Sequence, residues 1–211
     1  MKVVDLTHNL NEKMPVYPGT PKPKFDNVYT FEEYKFREAK WTMFSHTGTH
    51  MDSPAHMELK GKTLDQFDII QFIGRALVIH IRDLSSNIIE MKDLNIETED
   101  LREAEFILID TDWSKYWAED RYFEEGPYLS IEVVRELMKY DLKGIGIDQM
   151  SIDGMNTKSF ENHHEILSKN KTVIVENLKN LDKLPKWVEF MAFPINVENC
   201  DGSPIRAVAR Y

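Results

Sequence analysis

Short apolar runs rich in β-branched residues limit most strongly how this chain can fold. The longest uninterrupted ones, 76–79 and 106–109, have four residues, and the longest apolar-rich segment, 75–81, has seven. These lengths suit a buried strand and are too short for a buried helix. The runs that we predict to be strands are 3–7, 75–81, 105–109, 143–147, 172–175, 188–193 and 204–208. One helix is predicted from the N-cap Ser130 to near Lys143, because apolar residues recur there at helical spacing. These patterns indicate an α/β protein with a strand-rich core and a few flanking helices.

Composition narrows the class of protein further. The 211 residues include 26 Lys and Arg against 36 Asp and Glu, and a net charge of −10 argues against binding to nucleic acid. No apolar run approaches the roughly 18 residues needed to cross a membrane, and the N-terminus lacks a signal-peptide pattern. The single cysteine, Cys200, excludes an internal disulfide. We therefore expect one soluble, cytoplasmic domain over residues 1–211.

Four potential metal ligands lie within eleven residues. They are His46, His50, Asp52 and His56. Imidazoles combined with a carboxylate form a donor set that zinc prefers. Two ligands of one metal must lie within roughly 4 Å of each other, whereas residues four apart on an extended strand are about 13 Å apart. We therefore expect a tight turn at Gly48 that brings His46, His50 and Asp52 together.

A second set of potential ligands follows much later in the chain. His163 and His164 are adjacent, and Glu176 ends the apolar run at 172–175. Alone, the histidine pair could equally cap or solvate a helix, but the first cluster needs additional ligands. Within the first cluster, Pro54 bars a regular helix, so His56 is expected to reach the site from a separate loop.

Residues 46–56 carry a specific family resemblance. They read His-Thr-Gly-Thr-His-Met-Asp-Ser-Pro-Ala-His, which resembles the H-x-G-T-H-x-D-x-P-x-H signature of the cyclase-like metal-dependent hydrolases. This family includes bacterial kynurenine formamidase and isatin hydrolase. Further segments similar to the family extend the resemblance over nearly the whole chain: 5–8, 17–19, 147–153, 164–167, 176–178 and 202–206. The resemblance implies a swivelling β/β/α fold with a strand-rich core.

The resemblance also implies a division of roles among the candidate residues. The implied metal ligands are His46, His50, Asp52, His164 and Glu176, with the choice of His164 over His163 made on motif spacing. One or two ions per chain are implied, and Asp52 would bridge them where two are bound. Zinc is the expected metal, and manganese is the alternative. His56 would lie outside the ligand set and transfer protons.

A metal site of this kind implies hydrolysis of small amides. A metal-bound hydroxide would attack the carbonyl carbon, and His56 would protonate the departing nitrogen. We expect an arylformamidase resembling kynurenine formamidase and acting in tryptophan catabolism. A cyclic-amide hydrolase like isatin hydrolase and a non-catalytic metal or ligand-binding protein are the alternatives. The family resemblance further implies a homo-oligomer, either a dimer or a tetramer.

Substrate recognition is expected to depend on a Pro- and Gly-rich loop at 15–20. Tyr17 occupies the position where kynurenine formamidases of the family carry Trp, and Thr20 stands where they carry Asp. Tyr17 and Ser151 are therefore the predicted substrate-binding residues, for compact aromatic or cyclic amides. Asp148 follows a predicted strand, and two roles remain open for it: orienting a ligand histidine, or capping the turn that it begins.

Overall fold

The protein, described for residues 1–211 by a computed structural model, consists mainly of short strands. The strands are β1 (Val3–Asp5), β2 (Lys24–Tyr29), β3 (Glu38–Thr42), β4 (His50–Asp52), β5 (Ile73–His80), β6 (Ile88–Ile89), β7 (Phe106–Asp110), β8 (Tyr128–Leu129), β9 (Gly144–Ile147), β10 (Val173–Glu176), β11 (Trp187–Pro194) and β12 (Gly202–Arg210). The α-helices are α1 (Phe31–Tyr34), α2 (Met91–Leu94), α3 (Thr98–Glu103), α4 (Ile131–Leu137) and α5 (Glu161–Leu167). Single 3₁₀ turns cover Pro54–His56, Leu64–Gln66, Ile69–Phe72, Trp113–Tyr116, Asp120–Phe123 and Leu181–Lys183.

The main sheet closes on itself to form a barrel-like ring. Its strands follow the order β12, β11, β5, β7, β9, β10 and β4, and β4 pairs again with β12. β5, β7, β9 and β10 are parallel to their neighbours in this series, and their connections carry helices α2 to α5 across the outside of the ring. The short strand β4 closes the ring between β10 and β12, antiparallel to both.

Both faces of the ring are apolar along the parallel strands β5, β7, β9 and β10, because helices cover their outer face. Along β7, Phe106 and Leu108 point into the ring, where Phe106 meets Phe190 edge to face at 5.2 Å. Ile107 and Ile109 point outward to helices α3, α4 and α5. Strands buried on both faces need apolar residues at successive positions, which explains the continuous apolar runs in the sequence.

The predicted fold class is confirmed. Six of the seven predicted strands have a counterpart in the ring, and the seventh, β1, pairs with β12 beside it. The helix that begins after Ser130 is also confirmed, since Ser130 Oγ accepts a hydrogen bond from the Val133 amide at 3.3 Å. This helix ends at Leu137, earlier than predicted, because hydrogen-bonded turns replace it before β9 begins. Strands β2 to β4 and helix α5 were not predicted. None of the helices has the length and apolar character needed to cross a membrane.

Strands β2 and β3 form a hairpin that pairs only with itself. The hairpin follows the predicted substrate loop and precedes the first histidine of the signature. Exposed aromatic side chains cover it: Tyr29, Phe31, Tyr34, Phe36 and Trp41. The most exposed of these is Trp41, at 63%, which is unusual for so large an apolar side chain.

Candidate metal centre

Strand β4 presents two of the candidate ligands on one face. Alternate residues of a strand point to the same side, so His50 and Asp52 face outward from the ring while Met51 is buried inside it. In the antiparallel pairing of β4 with β10, Glu176 lies directly opposite His50. The strand register therefore places one imidazole and two carboxylates on a single buried patch.

His46 joins this patch through a change of chain direction at Gly48. Gly48 has a φ of 66°, a left-handed conformation that favours glycine, and a Cβ there would also displace the Leu10 side chain, whose Cδ2 would lie 2.5 Å away. His46 Nδ1 then lies 2.6 Å from Asp52 Oδ1. The Gly48 carbonyl accepts a hydrogen bond from His50 Nδ1 at 2.8 Å, which turns His50 Nε2 toward the carboxylates.

Helix α5 contributes His163 to the cluster, not His164 as predicted. His163 is buried, and its Nε2 lies 3.4 Å from Glu176 Oε1. The His164 side chain is half exposed and lies on another side of the helix, with Nδ1 3.4 Å from Glu58 Oε1. Successive helical residues point about 100° apart, so two adjacent histidines cannot face the same site. The structure thus corrects the choice made on motif spacing.

Asp153 fixes the orientation of His163. Its Oδ2 accepts a hydrogen bond from His163 Nδ1 at 2.6 Å, leaving Nε2 to face the cluster. Asp153 also accepts the backbone amides of Asn162 and His163, so it caps the start of α5. A carboxylate bonded to the far nitrogen of a histidine is the usual support for a metal-binding imidazole.

The donor atoms stand at separations that a shared cation requires. Two donors about 2.1 Å from one tetrahedral cation lie roughly 3.4 Å apart. Asp52 Oδ1 is 3.3 Å from His50 Nε2, and Asp52 Oδ2 is 3.6 Å from His163 Nε2. Asp52 Oδ2 is also buried without any hydrogen-bond partner, a costly condition that a bound cation would relieve. The residues present therefore fit a divalent metal.

Three groups of side chains could each hold an ion, and within each group the donor atoms lie within 4.8 Å of one another. One comprises His46, His56 and Asp201. The other two share Asp52: His46, His50 and Asp52 form one, and Asp52, His163 and Glu176 form the other. Asp52 Oδ1 faces His46 and His50, and its Oδ2 faces His163.

The charged groups of the cluster shift one another's pKa values. Burial would raise the pKa of Asp52, but His50 and His46 hold that pKa well below its usual range. Burial would lower the pKa of His163, yet its contact with Asp153 and the cluster carboxylates raise it well above the ordinary value. The pKa of His46 rises to about 9 because its ion pair with Asp52 outweighs burial. The buried carboxylates thus demand positive charge nearby, which protons or a cation can supply.

His56 lies beside the cluster at the end of the 3₁₀ helix that follows β4. Its ring centroid is 4.0 Å from that of His46 and 5.8 Å from that of His163. Burial lowers the pKa of His56, although the negative charge of Asp52 opposes this shift. An imidazole with a low pKa is neutral near pH 7 and can accept and then return a proton.

A cavity of about 360 Å³ opens onto the cluster. Apart from the cluster residues, its wall includes Pro15, Val16, Tyr17, Thr20, Phe44, Gly48, Met57, Met150, Ser151, Phe160 and Asn177. Both predicted substrate-binding residues therefore line it. Phe44 and Phe160, which sequence reasoning did not single out, add two more aromatic walls.

Asp148 caps a turn and does not contact a histidine. Its carboxylate accepts hydrogen bonds from the Thr111 amide and hydroxyl and from the amides of Trp113 and Ser114. Neither expected role applies, because the turn that Asp148 caps follows β7 at residues 111–114 and is not the turn that Asp148 itself begins. Burial raises the pKa of this carboxyl to about 6, although the Thr111 hydroxyl opposes the shift.

Comparisons with known proteins match this architecture over the whole chain. The family described as "Putative cyclase" matches residues 4–154. A kynurenine formamidase of Geobacillus thermodenitrificans is 34% identical over 209 residues, which cover 98% of this chain and 96% of that protein. A kynurenine formamidase of Bacillus cereus is 31% identical over the same shares of the two chains.

Solved structures agree with the fold. An isatin hydrolase bound to the product analogue thioisatinate superposes with a TM-score of 0.84 at 23% identity, covering 99% of this chain and 91% of that one. A structure titled a predicted metal-dependent hydrolase, from Bacillus stearothermophilus, gives a TM-score of 0.76 at 26% identity, covering 99% and 97%. The sequence match over residues 4–154 and the full-length similarity to the formamidases show that the chain belongs to the Cyclase family, the cyclase-like metal-dependent hydrolases.

Proposed function

We propose that this protein is a metal-dependent hydrolase that cleaves the C–N bond of small aromatic amides, with N-formyl arylamines as its first substrate class. The observation that carries the proposal is the buried, unpartnered Asp52 Oδ2 among outward-facing imidazoles at the floor of an aromatic-walled cavity. A buried carboxylate oxygen without a hydrogen-bond partner is stabilised by a cation, and a cation at the floor of a pocket acts on what the pocket holds.

Zinc is the cation that we propose, with manganese as the alternative. His46, His50 and Asp52 would hold one ion, and Asp52, His163 and Glu176 would hold a second. The histidine-rich donor set favours zinc, although affinity alone does not exclude other divalent metals. When bound, such a cation polarises a carbonyl oxygen and lowers the pKa of water from 15.7 to about 7.

His56 is the residue to which we assign proton transfer. Hydrolysis of a formamide breaks the C–N bond, so one proton leaves the attacking water and one reaches the departing nitrogen. His56 Nδ1 points toward Asp201, at 3.7 Å from its Oδ2, which leaves Nε2 to carry that proton. General acid–base catalysis of this kind typically contributes 10²- to 10⁴-fold in rate.

The cavity supports a compact, flat substrate. Ligand pockets usually measure roughly 300–1,000 Å³, so a cavity of about 360 Å³ suits a single substituted ring. Tyr17, Phe44 and Phe160 supply ring faces, and Met57 and Met150 supply adaptable apolar surface. The full-length similarity to proteins named kynurenine formamidase favours N-formylkynurenine within this class.

The proposal is tested by activity on a panel with matched metal loading. N-formylkynurenine, formanilide, isatin and an aliphatic formamide are assayed with zinc-loaded, manganese-loaded and metal-stripped protein. We expect turnover of the aromatic formamides that depends on metal and is lost in His56→Ala. Faster turnover of isatin than of either aromatic formamide would favour the cyclic-amide alternative. Tight metal binding without turnover of any member would favour a binding protein instead.

We also propose that a second copy of the chain covers the β2–β3 hairpin. Exposed aromatic residues lie at both ends of the hairpin: Trp41 is opposite Phe25, and Tyr29, Tyr34 and Phe36 cluster at the other end. The chain continues from Trp41 to Phe44 in the cavity wall. Single exposed apolar residues are common on protein surfaces, but several exposed aromatic residues on one hairpin are typical of an interface between subunits. The same hairpin on each copy would suit a homodimer or tetramer. Light scattering after gel filtration should give a multiple of 24.8 kDa for the wild type and a smaller mass for Trp41→Glu. A wild-type protein that stays monomeric at micromolar concentration would contradict this assignment.

A further inference from the structure

Asp201 lies against two residues of the proposed site, although it belongs to neither ligand group that contains Asp52. It occupies the turn that leads into β12. Its Oδ2 lies 3.0 Å from His46 Nε2 and 3.7 Å from His56 Nδ1. We infer that Asp201 is a positioning residue that holds the metal-binding imidazole of His46 and the proton-transferring imidazole of His56 with one carboxylate.

The two nitrogens of His46 have different partners. Nδ1 faces Asp52 Oδ1 at 2.6 Å, on the side of the ligand cluster, and Nε2 faces Asp201. A neutral imidazole that offers Nδ1 to a cation must carry its hydrogen on Nε2. Asp201 accepts that hydrogen, so it selects the tautomer that can bind the cation. The same arrangement links Asp153 to His163 on the other side of the cluster.

The backbone around Asp201 is shaped to hold the His46 ring. Gly202 lies so close to that ring that a Cβ would come within 2.4 Å of His46 Cε1. The Asp201 carbonyl accepts hydrogen bonds from both the amide and the hydroxyl of Ser53 at 2.9 Å. These backbone contacts fix the turn without help from the Asp201 side chain, so replacing that side chain should leave the turn in place.

An ordinary surface ion pair is the competing explanation. The Asp201 side chain is 45% exposed, and exposed ion pairs contribute little to stability. The two explanations differ in what they predict for metal affinity and for the His46 tautomer. A surface pair would change neither, whereas a positioning carboxylate typically changes metal affinity 10- to 100-fold.

The inference rests on the proposed function, because it assumes that His46 binds a metal. The experiment compares wild type with Asp201→Ala, Asp201→Asn and Glu198→Ala. Glu198 is an exposed carboxylate on the same connection between β11 and β12 that forms no side-chain hydrogen bond or ion pair, so its variant is the matched control. Zinc affinity is measured by chelator competition, and the His46 tautomer by ¹⁵N NMR of the zinc-loaded protein. Circular dichroism of each metal-free variant verifies that it is folded.

We expect Asp201→Ala to lower zinc affinity at least tenfold. Without Asp201 the His46 ring can reverse and bind zinc through Nε2, so we also expect part of the population to show the Nδ1–H tautomer. Asp201→Asn should lose less, because its amide oxygen still accepts the Nε2–H bond, and it keeps the test valid if the alanine variant fails to fold. Glu198→Ala should match wild type. Wild-type affinity and an unchanged tautomer in both Asp201 variants would overturn the inference while leaving the proposed function intact. A wild-type protein that binds no zinc would overturn the proposed function itself and the inference with it.

Discussion

The adjacent histidines of helix α5 give the sharpest test of the metal centre. His163→Ala removes an imidazole whose Nε2 lies 3.4 Å from Glu176 Oε1 and 3.6 Å from Asp52 Oδ2. His164→Ala removes the neighbouring imidazole, which faces Glu58 on the surface. The two variants change the same atoms one position apart on one helix, so each serves as the control for the other.

The expected size of the effect follows from the donor set. Structural zinc binds with about 10–16 kcal/mol shared among four ligands, so one ligand accounts for roughly 2.5–4 kcal/mol. Loss of His163 should therefore weaken zinc binding by about 10²- to 10³-fold. His164→Ala should stay within about twofold of wild type, because a half-exposed imidazole near one carboxylate adds little.

Chelator competition on the metal-free proteins measures this difference directly. Thermal melts in the presence and absence of zinc separate metal affinity from stability, since a bound ligand stabilises only the folded form. His163→Ala should melt lower than wild type even without metal, because it leaves Asp153 without its imidazole partner. Weak zinc binding in His164→Ala together with wild-type binding in His163→Ala would refute the assignment made from the structure.

Three further predictions concern residues on different sides of the site. His50→Ala should lower metal content and activity together, whereas His56→Ala should keep the metal and lose about 10²-fold or more in rate, as elemental analysis and kcat would show. Tyr17→Ala should raise KM for aromatic amides, equivalent to about 1–3 kcal/mol for a ring-sized contact, and equal effects on an aliphatic formamide would contradict this. Burial, with help from Lys179, lowers the pKa of His8 from 6.5 to about 4, so the unfolded chain takes up its proton first and stability falls between pH 6.5 and pH 4. This loss should reach about 3 kcal/mol, and His8→Phe, which keeps the ring stacked on Trp117, should remove it from denaturant titrations at the two pH values.

The parallel strands β5, β7, β9 and β10 could be predicted from sequence because a strand covered on both faces needs a nearly continuous apolar run, which is visible without knowledge of its partners. Strands β11 and β12 alternate between buried and more exposed residues, and that pattern is local as well. Strand β4 lacks this signal, since its three residues alternate between a ligand, a core methionine and another ligand. The sequence predicted the change of chain direction at Gly48. It did not predict strand β4, because this strand is defined by its pairing with β10 and β12.

Helix α5 shows why the sequence pointed to His164 as the ligand, whereas the structure places His163 in the cluster. The residue at its N-cap is Phe160, in a left-handed conformation with a φ of 48°, and phenylalanine is a poor cap. The cap comes from Asp153, which lies outside the helix and accepts the amides of Asn162 and His163. No local pattern marks where such a helix begins, so the direction of each histidine around its axis could not be predicted.

The closure of the ring at β4 explains how one short signature becomes a site. Because β4 lies between β10 and β12, it receives Glu176 opposite His50 from one neighbour and Gly202 opposite Asp52 from the other. Asp201 reaches His46 for the same reason, across 155 residues of sequence. The signature therefore supplies His46, His50, Asp52 and His56, the pairing of β4 brings Glu176 and Asp201 to them, and helix α5 adds His163. Asp201 reaches the site only through this pairing, so the signature could not predict its position. For such residues the structure reveals contacts that the sequence does not.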